Sequence, residues 1–118
     1  MLRKNCLLDM SQNEDELLVC ISGEIDHHSA VWVRTQIDAE INERRPKRTV
    51  LVLSGIDFMD SSGLGLIMGR YSRMQAIGGD LLVREPNERI VKILKLAGLD
   101  KIVKIENAKE AKESKNEG

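Results

Sequence analysis

TVLVLSGIDFMDSSGLGLIMGRY, residues 49–71, decides how the chain folds. Its first part, TVLVLSG (49–55), is an apolar run of strand formers closed by a glycine. An unbroken run of this kind suits a central strand covered on both faces. The second part opens on Asp60, Ser61 and Ser62, side chains that cap a helix by accepting an orphan backbone N–H. The helix predicted over 62–77 has an apolar stripe of Leu64, Ile67, Met68, Tyr71 and Met74, and Gly78-Gly79 stops it.

The same alternation continues on both sides. Upstream, ELLVCISG (16–23) reads as a strand, with a possible extra strand at 6–10. Asp26 to Ser29 offers helix-starting side chains, and Ala30, Val33, Ile37 and Ile41 form the stripe of a helix over 30–43 that Arg45-Pro46 ends. Downstream, DLLVRE (80–85) is a strand, and Pro86-Asn87 opens a helix running to Ala97. Gly98 falls where a left-handed cap belongs, with Leu99 as its hydrophobic partner. KIVKI (101–105) alternates like a short strand or begins a last helix. From residue 107 the chain is a charged tail, read as a weak helix or disorder. Strand–helix alternation of this kind means an α/β domain with a largely parallel sheet core.

With 118 residues the chain has room for one domain, and its 42% hydrophobic and 31% charged residues are those of a soluble globular protein. A net charge of −1 and a pI near 6.1 argue against binding a phosphate backbone. Three aromatic residues, Trp32, Phe58 and Tyr71, are too few for base stacking. Tyr71 belongs to the core stripe, and Phe58 is expected to pack beside the serine loop. Trp32 lies off the stripe of its own helix and is either an interface anchor or half-covered by a neighbouring segment. The opening MLRKNCLLD has no apolar segment of signal-peptide length, and LLVCI (17–21) is far too short to span a membrane. Two cysteines make no disulfide framework, so a reduced, cytoplasmic protein is expected, with Cys20 a small buried hydrophobe in its strand.

Few residues are available for chemistry. Gly63, Gly65 and Gly69 do not form a dinucleotide fingerprint. Their spacing is wrong, the strand is expected to end near Leu53, and no Gly-Lys-Ser/Thr follows. On the helix Gly65 and Gly69 share the face opposite the stripe with Ser62, Leu66, Arg70 and Arg73. Interior helix glycines cost roughly 1 kcal/mol each relative to alanine. Gly65 and Gly69 therefore need a reason: close packing within the domain, or a flat surface that another protein's backbone approaches, with Leu66 an exposed apolar contact. The serines lack a histidine base within their own loop, since the only histidines, His27 and His28, follow a different strand. His27 and His28 point about 100° apart on a helix and lack companion ligands for a metal. They either shape their loop or face a partner. A serine beside Asp60 at a loop tip is also a natural phosphorylation site, where a phosphate adds about −1.5 to −2 charge. The helical wheel does not choose between Ser61 and Ser62.

GEIDHHSA (23–30) together with FMDSSGLGLIMGRY (58–71) resembles the STAS family, in particular its anti-sigma factor antagonists. DSSG marks the wider family, and DHHSA with the GRY ending favours the sporulation members that oppose anti-sigma-F factors. The resemblance spans roughly residues 6–106. It implies a single domain over 1–106, a small mixed sheet of four or five strands with about four helices. It also implies a protein-binding switch rather than an enzyme. The unphosphorylated form binds an anti-sigma factor that is also a serine kinase and frees the sigma factor. The kinase then phosphorylates Ser61 and binding is lost, and a serine phosphatase resets it. The partner surface would be Asp26, His27, His28, Asp60, Ser62, Gly63, Gly65, Leu66, Gly69 and Arg73. ATP would belong to the kinase, so no cofactor or metal is implied here, nor a nucleic acid or membrane, and the free protein would be a monomer. The alternative is a STAS scaffold or transport-regulating subunit whose serine is only part of a helix cap.

Overall fold

The computed structural model describes residues 2–3 and 5–107. The expected charged tail lies, from residue 108 onward, outside the described residues. Six strands form one sheet: β1 (Leu2–Arg3), β2 (Cys6–Asn13), β3 (Glu16–Ile25), β4 (Arg48–Met59), β5 (Asp80–Arg84) and β6 (Lys104–Glu106). Their spatial order is β1-β2-β3-β4-β5-β6, the order of the chain. β1, β2 and β3 pair antiparallel, and β3 through β6 pair parallel. The sheet is therefore mixed, with five longer strands and a two-residue edge.

Three α-helices make the parallel crossovers: α1 (His27–Arg44), α2 (Ser61–Ala76) and α3 (Glu88–Leu96). With a 3-10 turn at Leu99–Lys101, they stand among the described residues where about four helices were expected. Each crossover steps to the next strand in the same direction. Right-handed connections of that kind put all three helices on one face. Val33, Ile37 and Ile41 of α1, Leu66, Ile67 and Met74 of α2, and Ile90 and Leu94 of α3 accordingly join one buried cluster with Leu17, Val19, Ile21, Leu51, Leu53 and Val83. On the reverse face, Val50 and Leu82 are cross-strand neighbours and buried outside that cluster, which bears out a central β4 with both faces covered near its start.

Several boundaries differ from expectation, each for a tertiary reason. β4 does not stop near Leu53. It runs to Met59 because Ile56, Phe58 and Met59 stay paired with Gly23, Glu24 and Ile25 of β3, past two register irregularities. α2 then starts at once, so Gly63, Gly65 and Gly69 lie inside a helix, not in the turn a phosphate-binding fingerprint requires. The extra strand at 6–10 is real and longer, since β2 pairs with β3 as a hairpin. KIVKI resolves into a turn followed by β6. Gly98 adopts φ 76° and Leu99 is buried, as the cap signal predicts.

The two cysteines are free, and it is Cys6, not Cys20, that is fully buried. Alternation along β2 and β3 turns Cys6 toward the helices and Cys20 to the reverse face, where it is half-buried, so the two thiols cannot meet. Burial raises the pKa of both thiols, helped by Asp26 at Cys6 and by Asp9 at Cys20. Among the described residues no helix is long and apolar enough to cross a membrane.

Both α1 and α2 start on an aspartate. Asp26 accepts a hydrogen bond from the Ser29 N–H at 2.9 Å, and the Ser29 hydroxyl accepts one from the Asp26 N–H at 2.9 Å, a reciprocal capping box. The Ser29 N–H holds the Asp26 carboxyl below its ordinary pKa, with a smaller contribution from its hydroxyl. A depressed carboxyl stabilises the fold above its unfolded value of about 3.9 and loses that contribution as pH falls through the lower folded value. Asp26→Asn should therefore flatten part of the stability loss below about pH 4, measured as urea midpoints across an acid series. An unchanged pH slope would contradict this. In the core, Leu51 is fully buried on the central strand, and Leu51→Ala should lower the unfolding free energy by about 2–5 kcal/mol in urea denaturation.

Candidate functional site

The carboxyl ends of β3, β4 and β5 bring three helix starts to one edge of the sheet. The Asp60 N–H donates to the Ile25 carbonyl at 3.1 Å, tying the serine loop to the end of β3. The Asn87 side-chain amide donates to the Ile56 carbonyl at 3.0 Å, tying in the start of α3. The loop DHHS and the loop DSSG, 34 residues apart between Asp26 and Asp60, thus lie side by side. Strands in chain order leave no topological switch point, the place where open α/β sheets form ligand crevices. The site is a surface.

Asp60 is the cap of α2. Its carboxylate accepts from the Ser62 N–H at 2.8 Å. Of the three capping side chains that the sequence offers, neither serine fills this role. Ser61 is the first helical residue, exposed, and its hydroxyl has no hydrogen-bond partner among the described residues. Ser62 is half-buried. An unbonded hydroxyl on the first turn of a helix is free to react, and the N–H groups there favour a negative charge once attached.

α2 is rotated by roughly 80° from the expected stripe, a little less than one residue's 100°. Its buried residues are Gly63, Leu66, Ile67, Arg70 and Met74. Leu64, Met68 and Tyr71 are half-buried against the same core. The helix packs on α1 as well as on the sheet, which a single stripe does not reveal. Two expected contact residues are corrected by this rotation. Leu66 is 4% exposed and belongs to the core. Gly63 is buried against Met59, whose side chain a Cβ would strike, so its small size serves internal packing. Arg70, expected outward, is 4% exposed and pairs with Asp38 of α1 at 2.9 Å. Arg73 is half-exposed; it reaches Asp38 at 3.5 Å and donates to the side-chain amide oxygen of Asn42 at 3.0 Å.

Gly65 and Gly69 keep their outward position. A Cβ built at either meets nothing within 4 Å. Packing within the domain therefore does not account for them. They leave a smooth strip one and two turns from Ser61 and Ser62. On the neighbouring helix, Asp26, His27 and His28 are exposed, and the two imidazoles meet edge-on with centroids 5.7 Å apart. The capping box, not the histidines, fixes the loop. Trp32 is half-buried on the core and, with His27, His28, Val31 and Thr35, lines a shallow depression on the outer face of α1. Among the described residues no group of three or more His, Cys, Asp or Glu could hold a metal ion.

The sequence missed two features of this region. Phe58 does not pack beside the serine loop; it is 48% exposed on the reverse face, opposite Glu24. The continued pairing of β4 puts it there. The Arg70–Asp38 contact joins residues 32 positions apart, and no local pattern signals it.

Residues 8–111 match the family model of the STAS domain. The anti-sigma F factor antagonist of Paenibacillus polymyxa is 41% identical over 97 residues, covering 82% of this chain and 83% of that protein. The anti-sigma factor antagonist SpoIIAA in its unphosphorylated form superposes with a TM-score of 0.77 at 23% identity, over 95% of this chain and 98% of that one. The phosphorylated form of the Bacillus cell-fate determinant SpoIIAA gives 0.71 at 24% identity, over 92% and 98%. The resemblance carried by DHHSA and DSSG extends over the whole domain: the chain belongs to the STAS family, among the anti-sigma factor antagonists.

Proposed function

We propose that the unphosphorylated protein binds an anti-sigma factor that is itself a serine kinase, and that phosphorylation of Ser61 ends the complex. The observation that carries this is the exposed, unbonded Ser61 hydroxyl at the start of α2, bordered by the open strip of Gly65 and Gly69. A phosphate on Ser61 adds about −1.5 to −2 charge. The positive end of the α2 dipole favours that charge, so the backbone need not move. Beside Asp60 it would face a partner as a doubled negative patch. Like charges brought together at an interface cost several kcal/mol, and each 1.4 kcal/mol is tenfold in affinity. The Paenibacillus relative bears the name of an anti-sigma F factor antagonist, and SpoIIAA occurs in unphosphorylated and phosphorylated forms, which supports this reading.

The docking surface comprises Asp26, His27, His28, Asp60, Ser61, Ser62, Gly65, Gly69 and Arg73. The bound ATP or ADP belongs to the kinase. A serine phosphatase restores the hydroxyl, and the whole cycle runs in the cytoplasm with a monomeric free antagonist that catalyses nothing.

Incubation with the anti-sigma F factor of the same organism and ATP should raise the intact mass by one phosphate. Ser61→Ala should abolish the gain and Ser62→Ala should keep it. A complex that forms without phosphate transfer would sink the switch and leave a scaffold. Ser61→Asp should weaken the ADP-state complex at least tenfold by calorimetry, and equal affinity would rule out the charge mechanism.

The glycine strip has its own test. Gly65→Ala and Gly69→Ala should each stabilise the free protein by up to about 1 kcal/mol, because alanine is the better helix former and has open space here. The bulkier Gly65→Leu and Gly69→Leu should leave thermal stability intact and reduce partner affinity at least tenfold. Unchanged affinity of the leucine variants would remove the strip from the interface.

A further inference from the structure

Between α1 and α2, beyond the serine end of the groove, three arginines gather around one carboxylate. Arg70 is 4% exposed and its nearest anion is Asp38, at 2.9 Å. The same Asp38 oxygen is 3.5 Å from Arg73 Nε. One carboxylate oxygen thus faces the Nε of both guanidiniums at ion-pair distance without a well-aligned hydrogen bond, and the buried Nη1 of Arg70 has no hydrogen-bond partner. Arg34 lies one turn before Asp38 on α1, exposed and outside any ion pair among the described residues. Burial disfavours the charge of Arg70, Asp38 favours it, and the nearness of Arg34 and Arg73 disfavours it further. The cluster carries more positive charge than the domain itself answers.

Its position gives that excess a direction. Gly65, Gly69 and Arg73 repeat every four residues and make one row along α2. The row begins at Ser61 and Ser62 beside the carboxylates of Asp26 and Asp60. It ends about 16 Å further on, eleven residues past Ser62 at 1.5 Å each, at the arginines. The groove is acidic at the serine end and basic at the far end, with a smooth floor between.

We infer that the arginine cluster is a second recognition point for the protein that docks on the serine loop, and that it receives an Asp or Glu side chain of that partner. This rests on the proposed function and deepens it: Arg34 and Arg73 are the contact residues, and Arg70 positions Arg73 through the shared Asp38. A protein carboxylate fits the spot better than nucleic acid. The cationic area is small and centred on Asp38, and the chain's net charge is −1. The two opposite ends of the groove orient the partner, so that its reacting group meets Ser61 rather than the far end of α2. Complementary charge at a rim of this kind sets register and encounter rate.

The test is calorimetric titration of the wild-type chain and of Arg34→Glu/Arg73→Glu with the anti-sigma F factor of the same organism and ADP. The charge-reversed variant should bind at least tenfold more weakly, with a shallower dependence of affinity on salt, while Arg34→Lys/Arg73→Lys retains most of the affinity. Lys95→Glu/Lys101→Glu, on α3 and the 3-10 turn after it, changes the net charge by the same amount and should bind as wild type. Circular dichroism melts within about 2 °C of wild type would show that the variants remain folded. Equal affinity and equal salt dependence for the reversed variant would overturn the inference. A duplex oligonucleotide bound by wild type and lost in the reversed variant, with partner affinity unchanged, would assign the cluster to nucleic acid and overturn it too. If the wild-type chain forms no complex at all, the proposed function fails, and the inference fails with it.

Discussion

The parallel ladder between β3 and β4 is the constraint on which the site depends. It runs from Glu16–Arg48 to Ile25–Met59 and continues past its irregularities to the last residue of both strands. Because both strands end together, the helices that follow start together. The Asp60 N–H then closes onto the Ile25 carbonyl. Were β4 to end at Leu53, seven residues of loose loop would separate the sheet from Ser61, and the serine would have no fixed relation to Asp26, His27 and His28. A surface made of two loops gains its rigidity from hydrogen bonds beneath them. The aspartate caps complete the job locally, each satisfying an orphan N–H of its helix.

Above that base the domain divides its glycines between two uses. Gly63 is small because Met59 fills the space where a side chain would go. Gly65 and Gly69 face open solvent, and nothing in the isolated domain benefits from them. A helix that accepts roughly 1 kcal/mol of destabilisation at each of two exposed positions is shaped by something outside itself. The buried Arg70 follows the same pattern. A guanidinium with unmet donors is costly inside a protein, yet here it joins the two helices that present the serine surface.

Much of the architecture was legible in the sequence because it rests on local chemistry. TVLVLSG, the helix starts at Asp26 and Asp60, and the Gly98 cap were readable from runs, caps and punctuation. The family was readable from DHHSA and DSSG. What escaped depended on contacts between distant segments. The extension of β4 through Gly55 and Asp57 is paired with β3 alone among the strands and tied to the start of α3 by Asn87, and local propensity argues against it. The face of α2 depends on α1, so a wheel drawn from one apolar stripe misplaced Leu66 and Arg70. Phe58 was expected to pack beside the serine loop, its neighbour in sequence, but the register set by its partner strand turns it to the reverse face. Within the site, the loops were found and the helix that follows the serine loop was turned by less than one residue. That small error moved one leucine and one arginine from surface to interior.

The strand order also bears on how the molecule is made. Because the sheet is laid down in the order of the chain, each new strand emerging from the ribosome finds its neighbour already synthesised. No strand has to wait for a later one to slot in beside it, and no gap has to be held open. Domains built from neighbour-to-neighbour pairings keep their loop closures short, which limits the time that unpaired edges and apolar faces are exposed. The α1 loop can be capped and seated on β3 before residue 61 has been added. The serine is thus born onto a surface whose other half is already in place.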